Sequence, residues 1–482
     1  MAQSSIDLGA MLFDWERGRG RKAERLAAAL ERALISGLFD GPLPAERRLA
    51  RSLGISRGTV TAAYAQLKER RLISSRPGGY TRPDFENLRA PVQAARLAAR
   101  GMAEGTILGS YVERNPRALD LSFAFLDVPE GTRKIVAHAY AQALDEPPST
   151  SYLAAGTPEL RERIAEWYTC ALQLPTSPEQ IVITQGAYQG IVLATLLALE
   201  PGDLVVAESP LYPGALDTLR AHGALIRPVA SFNEPEVIKG LEREASNTKM
   251  IYATTVWRNP TGSLIDHDAA LRLARLSART DLTIIDDRAL ECCGFGTEIP
   301  APLALHAPDA PILTLGSLDK TTGAGTRIGW IRAPRSLARK VARLKALSDL
   351  ASPAFLQRVA LRLFDHLETI AKARRSELRT RYEQVGALVR RYFPGWTWTE
   401  PTGGTSIWID TRTDADALVR TAAAVGVTII AGSAFSPNGI SGSHVRLALS
   451  QPANIVDEAL RRLASRIAGT DDSATAPRFG IP

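Results

Sequence analysis

In Ile312-Leu-Thr-Leu-Gly-Ser317-Leu-Asp-Lys320-Thr-Thr-Gly-Ala-Gly-Thr-Arg327-Ile-Gly329 an apolar run passes into a loop of small residues that holds one lysine and one arginine seven positions apart. A short apolar run bounded by glycine reads as a buried strand. Ligands of parallel sheets sit in the loops just beyond the carboxyl ends of their strands. A lysine there, beside a serine and an arginine able to hold a phosphate, suits an amine that forms a Schiff base with a phosphate-bearing aldehyde.

Outward from that stretch, four more β-branched runs alternate with helical patterns: Gln180-Ile-Val-Ile-Thr184, Leu204-Val-Val-Ala207, Met250-Ile-Tyr-Ala-Thr254 and Leu282-Thr-Ile-Ile285. Strands separated by helices of ten or more residues predict crossover units and a mostly parallel α/β sheet. Four of the five strand ends carry chemistry. After Thr184 come Gly186, Ala187 and Tyr188 at the start of a helix, where bare amides can hold a phosphate. After Thr254 comes Trp257-Arg258-Asn259-Pro260-Thr261-Gly262, a rigid turn that can aim the Asn259 amide at a ring hydroxyl. After Ile285 comes Asp286-Asp287, and Asp286 is read as the carboxylate that keeps a pyridine nitrogen protonated. Ser317, Lys320 and Arg327 complete the set. Taken singly, each of these is more often turn chemistry or a solvated charge; four in order at strand ends carry the reading.

Some 240 residues upstream the chain changes character. Residues 1–83 hold 15 Lys+Arg against 8 Asp+Glu, and the rest of the chain holds 43 of each, so the whole excess of +7 lies in the first 83 residues. A basic module beside a neutral body is the electrostatic footprint expected for nucleic acid. Leu26, Ala29, Leu30, Ala33 and Leu34 stripe one helix between Lys22 and Leu38, a second runs from Pro44 to Leu53, and a third begins at Arg57 after Gly54. Helix, glycine-containing turn, helix is the helix-turn-helix pattern. Ser56 is placed to cap the third helix, Val60, Tyr64 and Leu67 to face the module's core, and Arg57, Thr59 and Thr61 to meet a major groove. Arg47 on the second helix, and Arg76 in a hairpin wing around Pro77-Gly-Gly79, add backbone contacts. On periodicity alone, three short helices and a hairpin fit a small structural or protein-interaction domain equally well; the charge segregation favours DNA.

At 482 residues with 45% apolar and 23% charged content, the chain has room for two or three domains. The longest apolar stretch, Gly190 to Leu199, is half the length a membrane span needs, and no basic segment precedes an apolar run at Met1-Ala-Gln-Ser-Ser, so a soluble cytoplasmic protein is expected. Cys170, Cys292 and Cys293 offer no disulfide framework and are expected to be buried, reduced thiols, and no metal ligand set is assigned. Residues 84–118, rich in Ala, Arg, Gly and Pro, read as a partly helical or flexible linker or as a helix packed on the body; 468–482 reads as a flexible tail.

Leu43-Pro44-Ala-Glu46-Arg-Arg-Leu49-Ala50, Leu53-Gly54-Ile-Ser56-Arg57-Gly-Thr59-Val60 and Tyr64-x-Gln66-Leu67 resemble the winged helix-turn-helix of GntR-type bacterial regulators, over residues 15–83. Ala45 departs from the serine usual there and weakens a cap by about 1 kcal/mol. From residue 119 to 467 the chain resembles fold type I pyridoxal 5′-phosphate enzymes, specifically class I and II aminotransferases, through Asn259-Pro-Thr-Gly262, Ser317-x-x-Lys320 and Arg327-x-Gly329. That resemblance implies a mostly parallel large domain with a smaller C-terminal α/β subdomain, and pyridoxal phosphate held by Lys320 as an internal aldimine. It implies three further roles: Tyr152 reaching a neighbouring subunit's cofactor phosphate, Tyr212 stacking on the ring, and Arg446 in His444-Val-Arg446-Leu447 receiving a substrate carboxylate. One departure stands out. Where the family has a tyrosine two or three residues after the aspartate, donating to the ring's phenolic oxygen, this chain has Arg288-Ala289, and the Arg288 guanidinium either bonds that oxygen in its place or points away.

The fusion as a whole resembles the MocR/GabR/PdxR group of bacterial transcription regulators. The resemblance implies a homodimer that binds double-stranded promoter DNA and senses an amino acid, an amine or a B6 vitamer through the cofactor. The competing expectation is a working aminotransferase with an accessory DNA-binding domain.

Overall fold

The structure, a computed structural model, describes residues 15, 21–35, 42–70, 72–75, 80–83, 117–146, 152–296, 298–323, 325–439 and 442–469. Arg76, most of the linker at 84–118 and most of the tail at 468–482 lie outside the described residues.

The N-terminal module consists of α1 (Lys22–Ile35), α2 (Glu46–Ser52), α3 (Arg57–Glu69) and a hairpin of β1 (Ile73–Ser75) with β2 (Thr81–Pro83). The predicted stripe is its core: Leu26, Leu30, Leu49, Val60 and Leu67 are fully buried, and the Tyr64 hydroxyl donates to the Pro44 carbonyl at 2.7 Å. α2 begins at Ala45 without a side-chain cap, whereas Ser56 caps α3 by accepting from the Thr59 amide at 3.2 Å.

The body opens with β3 (Leu119–Asp120), α4 (Arg133–Asp145) and α5 (Pro158–Ala171). Its large domain then alternates β4 (Ile181–Thr184), α6 (Gly186–Ala198), β5 (Leu204–Glu208), α7 (Pro213–His222), β6 (Leu225–Val229), α8 (Pro235–Glu244), β7 (Met250–Thr254), α9 (His267–Thr280) and β8 (Thr283–Asp287). It continues through α10 (Leu303–His306), β9 (Ile312–Ser317), α11 (Asp319–Thr322), β10 (Gly329–Arg332), α12 (Arg335–Asp349) and α13 (Ala354–Phe364) to the long α14 (Leu367–Tyr392). The seven strands lie in the order β4-β10-β9-β8-β7-β5-β6, with β5 to β9 parallel and β10 antiparallel to both its neighbours.

Helices cover both faces of this sheet, so alternate residues of one strand enter different cores: Ile284 packs in one buried cluster and Ile285 in the other. That parity governs the site. A smaller domain follows, built of β11 (Ser406–Asp410), α15 (Ala415–Ala423), β12 (Val427–Thr428), β13 (Ile430–Ala431), β14 (His444–Ala448) and α16 (Ala453–Ile467). β11, β14 and β13 pair antiparallel, and β12 pairs with β3, which ties the start of the body to its end.

Within the seven-stranded sheet two strands were not anticipated from the pattern, β6 and β10, and in the rest of the body neither were β3, β11, β12 and β13. The cysteine expectation needs correcting in part: all three are free, but Cys170 is exposed and Cys292 half-buried, and only Cys293 is fully buried. No helix among the described residues is long and apolar enough to cross a membrane.

Candidate functional site

A cavity of about 340 Å³ lies at the carboxyl ends of the parallel strands, within the range of small-ligand sites. The chain's geometry makes its floor. Gly186, at φ +79°, turns β4 into α6. A Cβ on Gly329 would stand 2.6 Å from the Gly186 carbonyl carbon and 2.8 Å from the Ala187 amide nitrogen, so glycine at the start of β10 lets that strand press against the amides of the α6 N-terminus. Those amides and the helix dipole favour an anion.

Arg327 reaches the same loop from a left-handed backbone at φ +47°. It donates to the Gln185 carbonyl at 2.8 Å and pairs with Asp319 at 2.8 Å. Ala187, Tyr188, Ser317 and Arg327 all line the cavity. Tyr188 accepts from the Thr218 hydroxyl at 3.1 Å, which fixes its ring.

Lys320 lies on α11, one short turn beyond β9, and its Nζ donates to the Ala124 carbonyl at 2.7 Å. Burial lowers its pKa below the ordinary lysine value, with the Arg446 and Arg374 cations pushing the same way and Asp319 opposing. A lysine so placed is more readily the neutral nucleophile. Arg446, on β14 of the smaller domain, donates to Asn259 Oδ1 at 3.2 Å and to the Ser122 carbonyl, and its guanidinium lies over the Phe435 ring. Tyr212 and Asn259 also line the cavity.

Two of the predicted site residues require correction. Asp286 and Arg288 do not line the cavity; Asp287, Ala289 and Leu290 do. Asp286 follows the parity of Ile284 and is consumed on the far face, accepting from Thr255 Oγ1 at 2.6 Å and from the Leu303 amide at 3.0 Å. Arg288 is fully buried and points away, paired with Glu291 at 2.5 Å and donating to the Pro300 carbonyl at 2.9 Å. Asp287 follows the parity of Ile285. Its carboxylate accepts from the Tyr252 hydroxyl and from the Ala289 amide, and burial pushes its pKa up while the Tyr252 bond opposes. Tyr152 is 83% exposed and does not line this cavity. Sequence reasoning also passed over Phe123, Phe125, Thr254 and Thr405, which line the cavity too.

On the N-terminal module Arg47 is exposed. The residues expected to be free for a groove are locally engaged. The Thr59 hydroxyl pairs with that of Ser56 at 2.9 Å, while Arg57 and the Thr61 hydroxyl meet Glu46 at 3.3 and 2.8 Å. Arg57 keeps 59% of its side chain exposed. Such an exposed pair contributes about 1 kcal/mol or less and yields readily to a phosphate or base edge.

Comparison with known proteins matches residues 120–467 to the family of class I and II aminotransferases and residues 22–82 to the gntR family of bacterial regulatory proteins. The uncharacterized HTH-type transcriptional regulator YjiR of Escherichia coli is 25% identical over 470 residues, 92% of this chain and 98% of that protein. Aromatic-amino-acid aminotransferase 1 of Thermococcus litoralis is 26% identical over 357 residues, 70% of this chain and 84% of that protein. Among solved structures, the alpha-aminoadipate aminotransferase LysN of Thermus thermophilus, complexed with N-(5′-phosphopyridoxyl)-L-leucine, superposes with a TM-score of 0.66 at 25% identity, covering 77% of this chain and 96% of that one.

Proposed function

Because the chain belongs to the class I and II aminotransferase family over residues 120–467 and carries a gntR-family domain at 22–82, we propose that it is a pyridoxal phosphate-dependent transcription regulator. Its aminotransferase-like body senses a primary amine or amino acid, and its N-terminal module binds double-stranded promoter DNA. The observation that carries this reading is the set of donors around one cavity. Lys320 has a lowered pKa, an anion-favouring helix start stands beside Ser317 and Arg327, and Asp287 and Arg446 stand on the walls.

The residues fit the cofactor. The α6 amides, Ser317 and Arg327 would hold its phosphate, Asp287 its ring nitrogen, Asn259 its phenolic oxygen and Tyr212 its ring face. When bound, pyridoxal phosphate supplies an aldehyde carbon that bonds reversibly to primary amines, with a ring that draws electrons from that bond. Lys320 supplies the resident amine, and Arg446 offers a fork to a carboxylate. Lys320 belongs to the large domain and Arg446 to the smaller one, so a ligand engaging both biases how the two close. That bias is the change the DNA-binding module reads.

A homodimer is part of the proposal. Tyr152, exposed and turned out of its own cavity, would serve the second copy, and the exposed Leu347 and Leu350 offer apolar surface for that copy to cover. The protein acts in the cytoplasm, where the DNA is.

The retained lysine and the aminotransferase relatives favour one second reading, a working aminotransferase. The test of the first is direct. Purified protein incubated with pyridoxal phosphate should develop a visible band that Lys320→Ala abolishes, and amine binding should change its affinity for its own promoter. A colourless wild type would sink the cofactor assignment; steady amino-acid turnover at ordinary enzyme rates would favour the second reading.

A further inference from the structure

We propose that residues 120–124 form a strap that transmits the state of the cavity to the DNA-binding module, because the two side chains a ligand engages, Lys320 and Arg446, are among those that hold it. The inference rests on the reading that Lys320 carries the cofactor, and it names the element through which that same site is coupled to DNA.

The strap follows residues 84–118 in the chain and starts in β3, so a displacement of it is carried toward the N-terminal module. Its carbonyls divide between the two domains of the body. Those of Asp120, Leu121 and Phe123 accept from the Gln451 side-chain amide at 3.2 Å, the Ala448 backbone amide at 2.9 Å and the Ser450 hydroxyl at 2.6 Å, and that of Ser122 accepts from Arg446. All these donors belong to the smaller domain. The next carbonyl, that of Ala124, accepts from Lys320 Nζ at 2.7 Å, and that of Asp127 from Arg374, both in the large domain. The chain therefore crosses from one domain to the other between Phe123 and Ala124. Lys320 and Arg446 hold it on opposite sides of that crossing.

Both bonds are contested when the site is used. A charged lysine amine carries three hydrogens. When Nζ bonds to an aldehyde carbon, the aldehyde oxygen leaves as water with two of them, and one N–H remains with the positive charge. The Ala124 carbonyl thus loses donors to the very step that fixes the cofactor. A ligand carboxylate on Arg446 competes with the Ser122 carbonyl in the same way, since an anion is the stronger acceptor for a guanidinium. Each event frees one strap carbonyl, and a buried carbonyl without a partner drives the backbone to move. The partners that Arg446 and Lys320 already have are what make the strap sensitive to them.

Ser450 and Gln451 hold the strap without lining the cavity, so they separate the strap from the site. Promoter affinity of the full chain is measured with and without pyridoxal phosphate, in the wild type and in the double variant Ser450→Ala with Gln451→Ala, while cofactor absorbance is followed in parallel. Loading should change the affinity of the wild type by about fivefold or more. The double variant should take up the cofactor with half-saturation within about twofold of the wild type, yet respond at the promoter by less than about twofold. Amide exchange over residues 119–122, which lie outside the cavity wall and through which any displacement must pass to reach the linker, should be faster in loaded wild type than in apoprotein. Should the double variant fail to fold, that exchange decides. A double variant that keeps the full promoter response, exchange that loading leaves unchanged, or a loaded wild type whose promoter affinity does not move overturns the strap and leaves the cofactor reading intact. A wild type that develops no Lys320-dependent absorbance overturns both.

Discussion

At the scale of single residues, the two adjacent carboxylates at the end of β8 separate sharply. Asp286 is a structural group on the far face, bonded to Thr255 and Leu303, while Asp287 faces the cavity. Replacing Asp287 with Ala should weaken pyridoxal phosphate binding to the folded protein by about tenfold or more, since a charge-assisted bond contributes about 1.5–3 kcal/mol, and it also strands the buried Tyr252 hydroxyl and the Ala289 amide at a cost of about 1–3 kcal/mol in stability. Asp286→Ala should differ in sparing the cofactor. It strands a buried amide and hydroxyl, costs the body about 1–3 kcal/mol in denaturant unfolding, and leaves the affinity of the folded fraction unchanged. Equal losses of cofactor from both variants would contradict the assignment. The distinction was not legible in the sequence for a physical reason. A strand buried on both faces shows no polar–apolar alternation, so nothing in Thr-Ile-Ile-Asp-Asp says which parity meets the ligand. Lys320, Arg327 and Asn259 were legible because their spacing beyond strand ends is itself the signal. Lys320 also carries a pH prediction. Burial lowers its pKa, so at any pH below the ordinary lysine value a larger share is neutral and nucleophilic. The rate at which apoprotein takes up pyridoxal phosphate should therefore rise with pH and level off below about 10.4, the ordinary lysine value. A rate still climbing through that value would refute the lowered pKa.

Among the elements, the five strands read from β-branched runs are present, and the two missed in the large sheet have recognisable causes. β6, Leu225-Ile-Arg-Pro-Val, carries a proline and an arginine that argue against a central strand, and it is the sheet's edge, where a missing amide is tolerated. β10, Gly329-Trp-Ile-Arg, is four residues long and runs antiparallel within a parallel sheet, so the crossover pattern does not announce it. The N-terminal module was the more legible part because amphipathic helices advertise their period. Its capping chemistry gives a prediction that concerns α2 alone. Ala45→Ser supplies the missing acceptor at the N-cap and should stabilise that seven-residue helix by about 0.5–1 kcal/mol, seen as slower amide exchange across Glu46–Ser52. Unchanged exchange would mean that tertiary packing alone sets the helix. On α3, Arg57→Ala should weaken promoter binding by about tenfold. A contact to a base would leave the salt dependence as it was, whereas a contact to phosphate would make the slope of log affinity against log salt shallower by about one. Affinity unchanged at physiological salt would remove Arg57 from the interface.

On the scale of the whole molecule, the distribution of charge and the distribution of chemistry divide the labour. Residues 1–83 hold all the net positive charge, and the body with Lys320 and Arg446 is neutral. Electrostatic attraction to DNA thus resides in the N-terminal module, and selectivity for the small molecule in the cavity. If one protein couples the two, the coupling is a free energy shared between sites and must be reciprocal. An amino acid that shifts promoter affinity by a given factor is itself bound more or less tightly by that same factor when promoter DNA is present. Couplings of this kind typically run to about 1–3 kcal/mol, or roughly 5- to 150-fold. The two arms are measurable on one preparation: half-saturation of the cofactor absorbance change by an amino acid or amine that produces it, with and without promoter fragment, and promoter affinity with and without that same ligand. Matching factors above about fivefold are expected, in whichever direction the regulator works. A salt-independent factor of one on both arms would leave the body an enzyme that merely travels with a DNA-binding module. Unequal factors would show that a third equilibrium, such as assembly of the two copies, is being driven along with them. Repeating the measurement over a range of protein concentration separates that case, because a coupling confined to one assembled species does not depend on how much protein is present.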